Sequence, residues 1–357
     1  LNIKNRTRMN HHSRIGYTLS VVAALVWALT SPGIKHLLDV YRVPALAIAF
    51  WRDAIIAFVC VAALLALRPS LLRVGLRNLR GFALVGAISI GVYHALWVLS
   101  IALNGAAVAI VLIYTFPAFV TFGAWLFFRE RITWPQVAAL LLALFGCALL
   151  VRIYDPAVLR VSWLGAVVGL ATGMTHAGYV LFSQRAVQKH SPWTSLTYTM
   201  LFGALALLGM ALIADAVTGE TTNTQPLLLQ IGPGVTPWLI LAALALGPTL
   251  GGYAIFTAAL RYIPGRVASL VVVLEAPIAS LLAVLVLGEQ LERLQVAGIA
   301  CILLAVVLPQ VIEYVHKRLV VARGSGDWRL GIGGARTPVK YARLRLVDPL
   351  IFTNLHE

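Results

Sequence analysis

Within long apolar runs of this chain stand a few residues that can do chemistry. Glu275 lies two residues before Pro277 in "VVVLEAPIASLLAVLVLGEQLERLQVAGI", residues 271–299. Ionisable groups in such runs are costly, and are usually functional or paired. A carboxyl group there can carry a proton, bind an amine, or stay neutral and brace a helix bend. Arg52 can fork onto a substrate carboxylate or pair with a neighbouring helix. Asp53 follows it directly, so on a helix the two side chains diverge. His94 and His176 can relay protons near neutral pH, bind substrate, or simply hydrogen-bond. Tyr93 and Trp97 are one turn apart and share a helix face. Trp27, Tyr114, Tyr179, Tyr253 and Phe256 add aromatic bodies, most with polar tips. Such side chains suit an amphiphilic metabolite, or pack against lipid and neighbouring helices. Lys35 reads as a cation snorkelling to the interface at the end of the first run.

Other chemistries lack their residues. There is no GxSxG, HExxH, paired-acid constellation or glycine-rich phosphate loop, so no catalytic residues are assigned and no enzyme is expected. Cys60, Cys147 and Cys301 fall within apolar runs without paired or metal-type spacing. No disulfide, metal site or cofactor is expected.

Long apolar segments must position these groups. The chain is 60% hydrophobic and 11% charged, with mean hydropathy +0.89, whereas soluble domains carry roughly 25% charged residues. A span needs about 20 mainly apolar residues. Runs of that kind occupy 16–38, 43–67, 80–101, 105–128, 134–152, 162–186, 193–214, 236–260, 265–288 and 294–315. Their continuity excludes the alternation of a membrane β-barrel. The expected fold class is therefore an all-α membrane protein of ten transmembrane helices. The first run is too long for a cleaved signal peptide. The opening "LNIKNRTRMN" reads as a basic cytoplasmic tail, whether translation starts at Leu1 or Met9.

The net charge of +15 would suggest nucleic acid in a soluble protein, but its placement points to topology. With the N-terminus inside, inner segments hold 22 of the 28 Lys and Arg, outer loops hold five, and Arg52 lies within a span. That asymmetry places both termini in the cytoplasm of a multi-pass inner (plasma) membrane protein.

The chain also repeats itself. Tyr93, Gly105 and Pro117 return as Tyr253, Gly265 and Pro277; after a one-residue gap, Glu130 and Gln136-Val137-Ala138 return as Glu289 and Gln295-Val296-Ala297. Each half then holds five spans, and an odd number forces the second half into the membrane upside down. Inverted repeats of this kind build many secondary transporters. Pro117 and Pro277 read as gating kinks, bowing equivalent helices around a cavity; a kink that only aids packing is the other reading. Small-residue stripes, such as Gly165, Gly169, Gly173 and Ala177, read as helix-packing faces.

The residues that carry a family resemblance are "LVWALTSPGIK", "YTFPAFVTFGAWLFFRERIT" and "LEAPIASLLAVLVLGEQLE". With the doubled Pro–Glu pattern, Pro117/Glu130 and Pro277/Glu289, the chain resembles the EamA-like branch of the drug/metabolite transporter superfamily. The likeness covers 16–315. It implies ten helices, cytoplasmic termini, a cavity lined by helices 1, 3, 4, 6, 8 and 9, and transport of small metabolites, often amino acids, frequently outward. Arg129-Glu130 departs from the more usual Gly-Glu ending, and the 317–357 segment is long and basic. The expected organisation is a tail over 1–15, a first repeat over 16–152, a second over 153–315 and a basic cytoplasmic tail over 316–357. The expected activity is export of amphiphilic metabolites by alternating access, with a passive facilitator or channel as the alternative and an intramembrane enzyme a more distant one. The expected partners are a small-molecule substrate and the bilayer, with no nucleic acid; proton coupling and a monomeric working unit are both compatible with this reading.

Overall fold

The computed structural model describes residues 11–156, 162–218, 227–287 and 290–325. Every regular element among them is helical. In a bilayer core each backbone N–H and C=O needs an internal partner, which a helix supplies along its own length. The helices are α1 (His11–Trp27), α2 (Thr30–Asp39), α3 (Ala45–Leu67), α4 (Leu76–Gly86), α5 (Tyr93–Ile113), α6 (Phe116–Phe128) and α7 (Trp134–Leu150). They continue as α8 (Trp163–Lys189), α9 (Pro192–Thr218), α10 (Thr236–Leu244), α11 (Leu250–Ala259), α12 (Gly265–Val272), α13 (Glu275–Leu287) and α14 (Arg293–Ser325). By length and composition, eight helical stretches among the described residues can cross a membrane; Ser13–Trp27 and Trp134–Leu150 are shorter apolar helices beside them.

Interruptions fall at matching places. Between α4 and α5, Ala87–Val92 forms a wider π-helical turn, and Ala245–Thr249 does the same between α10 and α11. Pro248, which has no N–H to give, explains the second. A sharper break separates α5 from α6, and its counterpart separates α12 from α13. Pro117 and Pro277 sit in the first turns of α6 and α13, where a missing N–H costs little. The prolines thus open new helices instead of bending continuous ones. Loosened carbonyls find other donors: Thr115 Oγ1 donates to Leu112 O at 2.6 Å, and Ala276 N to Val273 O at 3.2 Å. The glycine stripe of α8 passes close by; a Cβ on Gly173 would lie 2.6 Å from Thr115 Oγ1.

The repeated Gln-Val-Ala motif is a helix start. Gln136 Oε1 accepts from Thr133 N at 3.1 Å and Gln295 Oε1 from Glu292 N at 3.0 Å, closing the first turns of α7 and α14. These two helices pack backbone to backbone. A Cβ on Gly146 would meet Gly298 O at 2.7 Å, and one on Gly298 would meet Gly146 O at 2.6 Å. Overpacking of this kind costs about 1–3 kcal/mol. Gly298→Val should therefore lower the thermal midpoint in detergent clearly, whereas Gly209→Val, with open space around its Cβ, should leave it nearly in place.

Several expected boundaries shift. The first span is not one helix: the chain loosens at Ala28–Leu29, leaving α1 and α2. Helix already exists from His11, inside the expected 1–15 tail, and α14 continues to Ser325, ten residues beyond the expected end at 315. Glu289 and residues 326–357 of the expected basic tail lie outside the described residues, as does the side chain of Lys35.

Candidate functional site

The breaks and π turns surround a cavity of about 180 Å³. Its wall takes Trp27 from α1, Arg52 from α3, Tyr93, His94 and Trp97 from α5, Tyr114 from the break after α5, His176 from α8, Tyr253 from α11 and Glu275 from α13. Nine of the eleven residues proposed from sequence as substrate-binding therefore meet in one space. Tyr179 and Phe256 do not line it; both are fully buried one layer deeper. Tyr179 Oη lies 2.6 Å from Thr257 Oγ1, and the Phe256 ring packs 5.3 Å from that of Trp27. They form the floor beneath the aromatic wall.

That wall is continuous. Trp27 meets Tyr253 edge-on at 5.1 Å, Tyr93 lies 4.7 Å from His176, and Phe116 presents its face or edge to His176 at the same 4.7 Å. Gly252 allows the Trp27 approach, since a Cβ there would collide with the indole. Glu275, partly exposed to the cavity, is the first residue of α13, where the free N–H groups of a helix start favour an acidic side chain. Tyr114 shares the cavity wall with it.

Across the cavity Arg52 and Asp53 are both buried, and they converge on one imidazole. Arg52 Nη2 lies 3.1 Å from His94 Nε2, and His94 Nδ1 lies 2.9 Å from Asp53 Oδ2. Arginine can only donate, so Nε2 accepts and Nδ1 carries the proton given to Asp53. Arg52 and Asp53 thus meet through the imidazole, in neither a direct ion pair nor a free arginine. Tyr253 Oη lies 3.5 Å from the same Nε2.

Sequence reasoning missed Thr30, Thr249 and Ser280, which also line the cavity. Thr249 follows Pro248 in the second π turn, and Thr30 opens α2 just before Pro32. A hydroxyl beside a helix interruption was the available signal. Among the described residues, no group of three His, Cys, Asp or Glu is arranged to hold a metal ion.

One end of the bundle is laced together beyond the floor. Arg266 Nε pairs with Glu130 Oε2 at 2.8 Å, and Gly265 N donates to Gln184 Oε1 at 2.7 Å. Arg185 Nη2 donates to Phe127 O at 2.8 Å and Arg261 Nε to Val187 O at 3.2 Å. Glu130, the acid of the first Pro–Glu pattern, is thus a cross-bundle partner. The cavity lies toward the other end, where Leu150, Val151, Ala279 and Ser280 complete its wall.

Known proteins resemble this chain over most of its length. A probable amino-acid metabolite efflux pump of Salmonella typhimurium is 29% identical over 80% of this chain and 91% of its own. A probable terminal-alkyne amino-acid exporter of Streptantibioticus cattleyicolor is 28% identical over 78% of this chain and 87% of its own. An uncharacterized transporter of Archaeoglobus fulgidus is 28% identical over 65% and 76% respectively. A solved crystal structure shares the fold, with a TM-score of 0.66 at 17% identity, covering 84% of this chain and 96% of that one. The EamA-like transporter family matches residues 14–152 and 163–309, one match to each half, and the chain belongs to that family of membrane transporters.

Proposed function

We propose that this protein is a secondary transporter that exports small amphiphilic metabolites, amino acids or close relatives, by alternating access. The observation that carries this reading is the cavity lined from both halves, with buried aromatic residues beneath its wall and paired helix interruptions around it. Counting α1 with α2, and α7, as spans gives ten helices in two inverted sets of five. Rocking of such halves about a central site is how inverted-repeat transporters expose it to each side in turn. The laced end with Glu130, Gln184 and Arg266 is then the cytoplasmic end, as the basic residues there suggest. The names borne by two relatives, an amino-acid metabolite efflux pump and an amino-acid exporter, favour the direction and the substrate class. The aromatic wall and the two polar poles, Arg52 and Glu275, suit a molecule with a charged head and an apolar body.

Counterflow in proteoliposomes tests the transport reading. Vesicles preloaded with unlabelled leucine or phenylalanine should transiently accumulate the labelled form well above equilibrium. A channel gives only equilibration, so monotonic filling overturns alternating access. In a Cys-free background, an impermeant reagent applied outside cells should label a cysteine at Thr222 and miss one at Arg77. The reverse pattern overturns the orientation.

A further inference from the structure

Asp53 does not touch the cavity, yet it is wholly buried next to a residue that does. Direct pairing of Asp53 with Arg52 would cancel the guanidinium charge and occupy its fork. The fold interposes His94 instead. Asp53 Oδ2 takes the Nδ1 proton at 2.9 Å, which turns the Nε2 lone pair toward Arg52 Nη2 at 3.1 Å. A neutral acceptor thus holds one nitrogen of the guanidinium without discharging it. Arg52 Nε is buried with no partner, although Arg52 belongs to the cavity wall. The Thr249 hydroxyl, also on the wall, is another buried polar group without a partner. A charged, oriented guanidinium with an unused donor, on a residue of the cavity wall, fits a carboxylate, whose two oxygens match a guanidinium fork.

We propose that Asp53 is a positioning residue: acting through the Nδ1–H tautomer of His94, it presents Arg52 to the cavity as a carboxylate clamp and so sets specificity for substrates that carry one. The proposal rests on the cavity being a substrate site. The arrangement is assembled only by packing α3 against α5, since Asp53 and His94 are 41 residues apart. Glu275 faces the same cavity from α13 and leaves the clamp as the pole for negative charge.

The test compares binding of phenylalanine and its decarboxylated counterpart, 2-phenylethylamine, to the full purified chain in nanodiscs. Wild type should prefer phenylalanine, and Asp53→Asn should reduce that preference by about tenfold to a hundredfold, the range of one lost charge-assisted hydrogen bond. His94→Gln, which can still accept from Arg52 and donate to Asp53, should keep most of the preference; His94→Ala should lose it. Imidazole ¹⁵N spectra, which do not depend on binding, should show the Nδ1–H tautomer for His94 in wild type and a mixture in Asp53→Asn. The proposal is overturned by an Nε2–H tautomer in wild type, by no preference in wild type, or by an Asp53→Asn protein that weakens both probes equally. Selective binding with no counterflow would overturn the transport reading and leave the clamp standing.

Discussion

Glu275→Gln is expected to abolish the response of flux to a pH gradient while leaving the protein folded. Glu275 stands on the cavity wall at the first turn of α13, with Tyr114 on the same wall. Glutamine keeps its size and can still hydrogen-bond, but it cannot exchange a proton. If a substrate amine and a proton compete for the carboxyl group, their exchange couples the two fluxes, and the coupling disappears with the carboxyl. Other titratable or charged groups share the cavity: Tyr93, His94, His176, Tyr253 and Arg52. Arg52 and Asp53 lock His94 at both ring nitrogens, which removes it from easy proton traffic in this conformation. His176 is held among Trp27, Tyr93 and Phe116. Glu275 is therefore the acid with the most direct access to a bound amine. Flux measured against pH in proteoliposomes should be steep for wild type and flat for Glu275→Gln. An unchanged profile would assign Glu275 to bracing the start of α13 and favour passive facilitation.

The parts of this site that were legible in the sequence are those that a residue determines by itself. Proline dictates where a helix can start, so Pro117 and Pro277 marked both breaks. An ionisable group in an apolar run must face a partner or a cavity, so Arg52, His94, His176 and Glu275 could be named without a fold. Aromatics were harder, because an aromatic side chain packs equally well in a wall or beneath it; Tyr179 and Phe256 lie one turn too deep. The Arg52–His94–Asp53 array could not be read at all. Adjacent residues on a helix diverge, and only the position of α5 lets one ring take both. The length of α14 was misjudged for a different reason. Charged residues such as Lys317 and Arg318 end an apolar run without ending a helix, since Lys and Arg are good helix formers. The break at Ala28–Leu29 had a local signal that was passed over: Pro32, four residues on, has no N–H to give the Ala28 carbonyl.

The paired breaks lead to the second large effect. Pro117→Ala with Pro277→Ala should suppress exchange by about tenfold or more while leaving thermal stability equal or higher. Each alanine restores an N–H and removes a ring, changes worth up to ~3 kcal/mol in favour of a continuous helix where the backbone can adopt one. α6 and α13 are separate helices from α5 and α12, joined at residues 114–115 and 273–274. Those joints lie beside the cavity, and each carries one of its polar contacts: Tyr114 at the first, Glu275 just after the second. In the proposed alternating-access cycle, such a joint would let the laced end move with α12 while α13 moves with the opposite end. Fusing α12 to α13 would make the floor and the mouth turn together, so that neither could open with the other closed. The competing view is that the prolines merely relieve packing around the α8 glycine stripe, where Gly173 leaves room for Thr115. That view predicts the opposite pairing of results, lost stability with flux per folded molecule retained. Counterflow normalised to folded protein, measured beside thermal midpoints for the two single variants and the double, separates the two. Full exchange by a stable double variant would remove the joints from the transport cycle.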